Sequence, residues 1–529
     1  MKRTGLVAAL AVVAAAAVVL AVVVGPWWWL AAGPLLALAA TGTHDLLQRR
    51  HSVLRNYPVL GHLRFLMEAV RPEMQQYFIE RDYDGRPFDR DTRSAVYERA
   101  KGTADQDPFG SELDVYEPGY EFFTHSVAPV PVPDEPPRVR LGGPGCSHPY
   151  DMSLLNVSAM SFGSLSAQAV LALNRGAKEG GFAHDTGEGG ISEYHLRHGG
   201  DLVWEIGTGY FGCRTADGDF DAEEFARKAA TDSVRCVSLK LSQGAKPGKG
   251  GVLPGAKVTA EIARVRDVPR GQTVISPNHH RVFSTPRELV RFIGRMRELA
   301  GGKPTGFKLC VGSRRDVLAI CKAMLDEDIT PDFIVVDGAE GGTGAAPVEF
   351  VDHVGTPLTE GLGIVHNALV GAGLRDRVRI GAGGKVATGA DIVKRLIQGA
   401  DYTNAARAMM FAVGCIQSRR CHTNHCPVGV ATQDPQRGRA LDVEDKYQRV
   451  RRFQEATVHS AMEIMASLGV SDPAMLRPHM LRRRTSYHSV ASYAELYTWL
   501  QPGQLLSAAS LPEEWAGSWK TSDPDSFSA

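Results

Sequence analysis

The apolar residues change their spacing three times along the chain. At the start they are continuous: Gly5 to Val24 is an unbroken apolar run, Gly25-Pro26 interrupts it, and Trp27 to Ala40 is apolar again. About twenty such residues cross the hydrocarbon core of a bilayer, and Trp27, Trp28 and Trp29 suit its interface. Lys2 and Arg3 precede the pair, and Arg49, Arg50 and Arg55 follow it. Positive charge on both flanks predicts a two-helix hairpin anchor over residues 1–42, with both ends in the cytoplasm. The chain is then expected at the cell membrane, its catalytic part facing the cytoplasm. A cleaved signal peptide is the competing reading, with Ala37-Leu38-Ala39 as its cleavage site, but the combined run is too long for a signal h-region.

From Thr43 to about Gly110 the spacing turns helical. DLLQRRHSVL and RFLMEAVRPEMQQYF place apolar residues three and four apart. VAPVPVPDEPP (127–137) lacks too many amide donors for a helix or a central strand. Residues 43–145 are therefore expected as a helical segment that ends in an extended Pro-rich connector.

Beyond residue 146 short apolar runs alternate with helical patterns. Strands are predicted at LLNVSAM (154–160), GFAHD (181–185), VRCVSLKL (234–241), TVISP (273–277), GFKLCVG (306–312), DFIVVDG (332–338), RVRIGAG (377–383) and DYTNAAR (401–407). Between most of them lie SAQAVLALNRGAKEG, AEEFARKAATD, TAEIARVR, PRELVRFIGRMRELA, RRDVLAICKAMLDED and GADIVKRLIQGA. Thr285-Pro286-Arg287-Glu288 carries the signature of a capping box with proline in the first turn. Such alternation indicates a parallel sheet. Eight units predict an α/β fold, a closed (β/α)8 TIM barrel over residues 146–414; an open doubly wound sheet is the alternative. Residues 435–529 read as a C-terminal helical extension. Glycine and polar clusters follow the strands: SFGS, TGEGG, SQGAKPGKGG, NHH, AEGGTGAAP and GGK. Barrels of this kind do their chemistry at the carboxyl ends of the strands, so one rim is marked as the working face.

Composition narrows the partners. The formal net charge is zero, without the basic excess of a nucleic-acid binder. The 56 glycines fall largely in clusters inside periodic apolar sequence, a pattern of backbone approaching a ligand. Eight cysteines over 529 residues are too sparse for a disulfide framework and favour a reducing compartment.

Individual residues sharpen the chemistry. In GAGGKVATGADIVKRLIQGADYTNAARAMM (381–410) Gly383 and Gly384 precede a helix and a strand ending at Arg407, the arrangement of a phosphate cradle; a plain tight turn is the alternative. Lys240 and Lys308 sit in the apolar strands VSLKL and GFKLC, where each needs a negative partner. That partner is either a flavin edge that gains charge on reduction or a barrel-floor carboxylate. Glu188 in HDTGEGG (184–190) suits a proton carrier or gate, or else a solvated loop. GTGYFG (207–212) matches a dinucleotide motif in letters only, since polar, turn-like sequence and not a helix follows it. GCIQSRRCHTNHCP (414–427) holds Cys415, Cys421 and Cys426. Three close thiolates suit a metal centre: zinc with His422 or His425 as fourth ligand, or a [3Fe–4S] cluster, which needs three. Cys146, Cys213, Cys236, Cys310 and Cys321 lack such spacing and read as packing residues.

QGAKPGKGGVLPGAKV (243–258), AEGGTGAAP (339–347), LRDRVRIGAGGKVATG (374–389) and GCIQSRRCHTNHCPVGVATQD (414–434) resemble the FMN-binding synthase domain of the glutamate synthase large subunit. The chain as a whole is similar to the shorter, membrane-tethered FMN-binding glutamate synthase family. The resemblance covers about residues 150–435 and implies a (β/α)8 barrel holding FMN beside a [3Fe–4S] cluster. It implies Cys415, Cys421 and Cys426 as cluster ligands in an iron–sulfur loop over 415–434. It implies Glu188, Lys240, Gln243 and Lys246 as catalytic and 2-oxo-acid contacts. Met160, Ser161, Lys308, Gly341, Gly342, Thr343, Gly383, Gly384 and Arg407 are the expected FMN contacts.

Departures from the family pattern accompany the likeness. Lys249 stands where glutamate is common and Val252 where glutamine is, and NAAR (404–407) replaces a usual FGT. No cysteine precedes Cys146, so the N-terminal glutaminase nucleophile of complete glutamate synthases is not expected here, nor is their C-terminal β-helical domain. The resemblance thus implies an oxidoreductase that reduces the imine of a 2-oxo acid, 2-oxoglutarate by family default, with ammonia or an amine, fed by an electron-donor protein or reductase subunit. A membrane-linked amino-acid or hydroxy-acid dehydrogenase and a non-catalytic electron relay are the alternatives.

Overall fold

The computed structural model describes residues 3–103, 106 and 108–527; Lys2 of the basic flank lies outside the described residues. The chain divides into two compact units, Met1–Asp89 and Arg90–Ala529.

In the first unit α1 (Arg3–Val23) and α2 (Trp29–Leu47) are joined by a short 3-10 turn at Pro26–Trp28. Thr4–Val23, with mean hydropathy 3.1, is the one helix among the described residues long and apolar enough, by length and composition, to cross a membrane. The two helices pack through small residues. Ala14, Ala17, Ala21 and Ala32 are buried, and a Cβ on Gly42 would lie 2.9 Å from Val7 Cγ2. Small side chains at such a seam let helix backbones approach closely. A short helix, Ser52–Asn56, then leads to α3 (Gly61–Met74).

The second unit is built on eight parallel strands closed into a barrel in sequential order. They are β1 (Leu155–Val157), β2 (His184–Asp185), β3 (Leu202–Ile206), β4 (Val234–Lys240), β5 (Thr305–Leu309), β6 (Phe333–Asp337), β7 (Arg379–Gly383) and β8 (Tyr402–Ala405). Two of the sequence expectations are corrected. TVISP is not a barrel strand: Val274–Ile275 pairs antiparallel with Val252–Leu253 in a ribbon on the long excursion between β4 and β5. The missing strand is LVWEI, β3, where Glu205 interrupts the apolar run. Alternation explains both that disguise and the barrel's interior. In a strand residues i and i+2 share a face, so Val203 lies within the lower barrel core and Glu205 one layer above it. Cys236, Ser238 and Lys240, and Phe333, Val335 and Asp337, follow the same rule. The interior is therefore apolar at the amino end and charged at the carboxyl end.

Helices cover the outside, most of them opening at a polar cap. Ser166 accepts from Ala169 N ahead of helix Ala167–Gly180, and Thr285 accepts from Glu288 N ahead of Pro286–Leu299. Glu288 returns a contact to Ser284 N at 2.7 Å, completing a box one residue wider than the four-residue signature. Thr388 and Asp391 cap Gly389–Ile397 reciprocally. Leu358–Gly371, between β6 and β7, is a further helix whose glycines hid its periodicity. The extension beyond the barrel carries a 25-residue helix, Val443–Ser467, which packs on Ala167–Gly180 and Gly389–Ile397. Gly176 and Gly389 permit the approach, since a Cβ would meet Val450 Cγ1 at 2.7 Å and Ala461 N at 2.5 Å. After it, strands Leu481–Ser486 and Ser489–Ser492 join Glu121–Phe123 in a small antiparallel sheet.

A hairpin, Arg138–Leu141 with Tyr150–Ser153, closes the amino end of the barrel and adds Leu141 and Met152 to the lower core. One buried pair braces it. Asp332 accepts from Arg297 Nε at 2.9 Å, from Thr305 N at 2.8 Å and from Gly143 N at 2.5 Å. Removing one partner of a buried pair leaves an uncompensated charge and costs about 3–5 kcal/mol, whereas apolar replacement of both is often near neutral. Asp332→Ala is therefore expected to lower the urea midpoint sharply, and Asp332→Ala with Arg297→Met to recover only the part due to the unpaired guanidinium, since the Thr305 and Gly143 amides still lack their acceptor.

Candidate functional site

The carboxyl ends of the strands carry a concentration of buried charge that apolar packing cannot satisfy. Lys240 and Lys308 are direct cross-strand partners in β4 and β5. Two like charges so placed each require a carboxylate. Lys308 is ion-paired with Glu205 of β3. Burial works against its charge, but Glu205, Asp185 and Asp337 outweigh it and hold its pKa above the ordinary lysine value. The same crowding of acids, after burial itself, raises the pKa of Asp185 and of Asp337. Lys308 thus meets a barrel-floor carboxylate, one of the two partners the sequence allowed for it.

Lys240 has a different partner. Its Nζ lies 3.0 Å from Glu188 Oε1 and donates to Gln243 Oε1 at 2.9 Å. Burial raises the Glu188 pKa, but Lys240, then Arg266 and Lys246, pull it below the usual carboxylate value. Glu188 is thus an ionised carboxylate ringed by cations. It is also enclosed by glycine: a Cβ on Gly251 would lie 2.2 Å from Oε1 and one on Gly207 2.5 Å from Oε2. Of the glycines of GTGYFG, which follow β3, Gly207 serves this carboxylate, while Gly209 lies against the Phe211 ring.

Lys246 is buried and donates to Ala345 O at 3.0 Å, which joins the β4–β5 excursion to the loop after β6. Burial lowers its pKa to about 8 against the opposing pull of Glu188. Arg266, absent from the sequence-based site, completes the cluster. It comes from helix Ala260–Arg266, donates from Nη2 to Ser161 Oγ at 3.1 Å and Phe162 O at 3.0 Å, and keeps a buried Nε with no hydrogen-bond partner among the described residues. Burial lowers its pKa to about 10. Its only sequence signal is an arginine ending an amphipathic helix, the commonest of surface patterns.

The remaining expected contacts line the same rim. Met160 is buried and Ser161 half-buried after β1, against Gly187, where a Cβ would lie 2.6 Å from Ser161 N. Gly341, Gly342 and Thr343 form a half-buried to exposed loop after β6. Arg407 opens the helix after β8 and donates to Glu340 O at 2.7 Å; a Cβ on Gly342 would stand 2.8 Å from Arg407 Cδ. Burial lowers the Arg407 pKa to about 10. Gly383 accepts at its carbonyl from Gly338 N at 2.8 Å, and a Cβ on Gly384 would stand 3.5 Å from Glu340 Oε1, so the loops after β6 and β7 form one surface. Two glycine loops beside the half-buried Arg407 guanidinium fit a phosphate.

The cysteine loop docks on the rim next to β1. Gln433 Nε2 donates to Leu165 O at 2.6 Å, and Lys257 Nζ donates to both Ser164 O at 3.0 Å and Cys421 O at 3.2 Å. Burial lowers the Lys257 pKa to about 8, with Cys421 and Cys426 acting in opposition. Burial raises the Cys415 thiol to about 12, and Cys421 and Cys426 add to that effect. Cys415, Cys421 and Cys426 are thus electrostatic neighbours of one another, although among the described residues no three His, Cys, Asp or Glu side chains converge to metal-holding distance. Soft thiols grouped beside a buried ammonium fit an anionic metal–thiolate group.

Since Gly251 and Gly207 leave the Glu188 carboxylate its space, Gly251→Ala and Gly207→Ala are each expected to displace it from Lys240. A misplacement of about 1 Å costs on the order of 100-fold in rate. Turnover at this rim should fall by about that factor in steady-state kinetics, with the far-ultraviolet circular dichroism unchanged.

Residues 151–471 match the family model described as a conserved region in glutamate synthase. The chain is 37% identical to the glutamate synthase large subunit-like protein YerD of Bacillus subtilis (strain 168), over 86% of its own length and 94% of the relative's. It is 34% identical to the archaeal glutamate synthase (NADPH) of Methanocaldococcus jannaschii, over 62% of its own length and 61% of the relative's. Against the glutamate synthase (NADPH) large chain of Bacillus subtilis it is 34% identical over 65% of its own length but only 22% of that chain. The region matched by the family model takes in the whole barrel, the cysteine loop and the long helix behind them, and by that match the chain belongs to the glutamate synthase family.

Proposed function

We propose that this chain is an FMN- and iron–sulfur-dependent oxidoreductase acting at CH–NH2 carbons, which reduces the imine of 2-oxoglutarate to glutamate. The observation that carries the reading is the ring of Lys240, Lys246 and Arg266 around the ionised Glu188 at the strand ends. Bound FMN would supply a hydride to the imine carbon, and an iron–sulfur cluster would supply electrons singly. The loops with Gly341, Gly342, Gly383 and Gly384, together with Arg407, would hold the flavin phosphate. Cys415, Cys421 and Cys426 would hold a [3Fe–4S] cluster, and Lys257 would balance its charge.

The chain's own groups define the substrate. A 2-oxo dicarboxylate carries two anionic ends. The buried Arg266, whose Nε has no partner among the described residues, suits one of them. Lys240, which already meets Gln243 and Glu188, and Lys246, which donates to Ala345 O, suit the other and would fix the oxo carbon's orientation. Glu188 is the one carboxylate on this rim held between three cations and two glycines. Ionised at neutral pH, it suits the shuttling of a proton at the imine nitrogen. Nitrogen is proposed to arrive as ammonia or a small amine, and electrons from a separate protein or reductase subunit. The apolar α1 supports attachment to the cell membrane, with the barrel on the cytoplasmic side.

Anaerobic oxidation of the photoreduced protein is the test. Flavin reoxidation by 2-oxoglutarate with ammonia is expected; bleaching of the oxidised flavin by an amino or hydroxy acid instead would make this a dehydrogenase, and no response to either would make it an electron relay.

Two outcomes follow. Lys246 loses its charge as pH rises through about 8, and a neutral amine cannot pair with a carboxylate. The KM for the 2-oxo acid should therefore climb above about pH 8, and Lys246→Arg should abolish that climb. Cys421→Ser is expected to remove the iron, measured by metal analysis, while leaving bound flavin that dithionite still reduces.

A further inference from the structure

The first unit contains an apolar surface that neither the barrel chemistry nor the spanning helix uses. α3 and the wider π turn that continues it, Gln75–Ile79, carry Leu63, Leu66, Met67, Val70, Met74 and Phe78 at intervals of three and four residues. All six are exposed, from 38% at Val70 to 77% at Phe78. That spacing puts them on one face, and a continuous exposed apolar face marks an interaction site.

Two observations identify what covers it. The first is continuity with the apolar hairpin. Asp45, fully buried at the end of α2, accepts from Val59 N at 2.9 Å and meets His62 Nε2 at 3.0 Å. Val59 and Leu54 pack tightly at the same elbow, for a Cβ on Gly42 would meet Val59 Cγ2 at 3.3 Å and one on Gly61 would meet Leu54 Cδ2 at 2.9 Å. The start of α3 is therefore fastened to the end of the hairpin that emerges from the hydrocarbon. The second observation is charge. Arg49, Arg50 and Arg55 lie between the hairpin and α3 with no acid among them, while α3 itself balances Arg64 and Arg71 with Glu68 and Glu73. A basic stretch leading into a helix with one apolar face suits a membrane interface, and its Arg excess favours an anionic leaflet.

We propose that α3 and the turn after it lie in the headgroup layer of an anionic leaflet, their apolar stripe against the acyl chains, as a second attachment beside the hairpin. The proposal rests on the membrane reading of α1 given above. Its consequence is that the unit is held at the surface by two elements in different orientations, a spanning one and an in-plane one.

Full-length protein carrying benzoylphenylalanine at position 13, 66 or 68, reconstituted into vesicles of phosphatidylcholine with phosphatidylglycerol, tests it. Val13 lies on the exposed side of α1, Leu66 on the stripe and Glu68 on the polar face of α3. On illumination, Leu66→benzoylphenylalanine is expected to give about fivefold more lipid adduct than Glu68→benzoylphenylalanine. That excess should shrink in vesicles of phosphatidylcholine alone. Adduct at 13 with equal, low yields at 66 and 68 overturns the in-plane helix and leaves the spanning α1 standing. Adducts at 66 that join two protein chains in place of lipid also overturn it, in favour of a protein partner. Lack of adduct at 13 defeats the spanning reading by itself, and an excess at 66 in that case retains the interfacial helix as the membrane contact. An excess at 66 that persists without the anionic lipid removes the anionic leaflet from the proposal.

Discussion

Two lysines side by side in adjacent parallel strands are the constraint around which the upper half of the barrel is organised. Lys240 and Lys308 are register partners, so their side chains enter the barrel together. An unpaired buried ammonium is too costly to retain its charge, and each is therefore given its own acid. Glu205 reaches Lys308 from β3, and Glu188 reaches Lys240 from the loop after β2. The two pairs differ in their second neighbours. Lys308 lies among three carboxylates and is fixed in the floor. Glu188 lies among three cations beneath open loops. The division produces a carboxylate-rich floor around Lys308 and a cation-rich mouth around Glu188.

The glycine content follows from that arrangement. A carboxylate between two loops needs backbone without side chains on both sides, which Gly207 and Gly251 provide. Gly244 serves the neighbouring acid in the same way: its N donates to Asp337 Oδ2 at 2.8 Å, and a Cβ there would collide with Gly338 O. The long excursion between β4 and β5 supplies Gln243, Lys246, Lys257 and Arg266 in turn. His280, at its far end, meets Lys240 O at 2.9 Å and Tyr210 OH at 3.1 Å, so the excursion is tied down where it leaves β4. The cavity of about 710 Å³ lined by Arg138, Arg140, Tyr150, Asp201, Arg235 and Lys303 is at the opposite, amino-terminal end. There Arg140 is paired with Asp151 and Arg235 with Asp201, while Arg138 and Lys303 donate to backbone carbonyls, and none of these groups takes part in the rim.

The sequence by itself determined the α/β class, seven of the eight barrel strands and the rim on which the chemistry sits, because period-two and period-3.6 apolar spacing and glycine after strands are local signals. It marked Glu188 and Lys240, since charge inside an apolar or glycine-rich run is conspicuous, and Gln243 and Lys246 through the family resemblance. It marked the three cysteines by spacing alone. It misassigned β3, because an inward Glu205 reads as a break until the lysine that neutralises it is known, and it took TVISP for a strand of the barrel because a two-residue ribbon and a short barrel strand share one composition. Only the tertiary structure decided that Lys308 belongs to the floor and Lys240 to the mouth, for that depends on which acids three other strands deliver. Only it brought Arg266 against Glu188 and Ser161, and Lys257 against Cys421 and Ser164. Those residues are separated from their partners by about a hundred positions or more in most cases, and a buried cation acquires its meaning from the groups that long-range closure of the barrel sets around it.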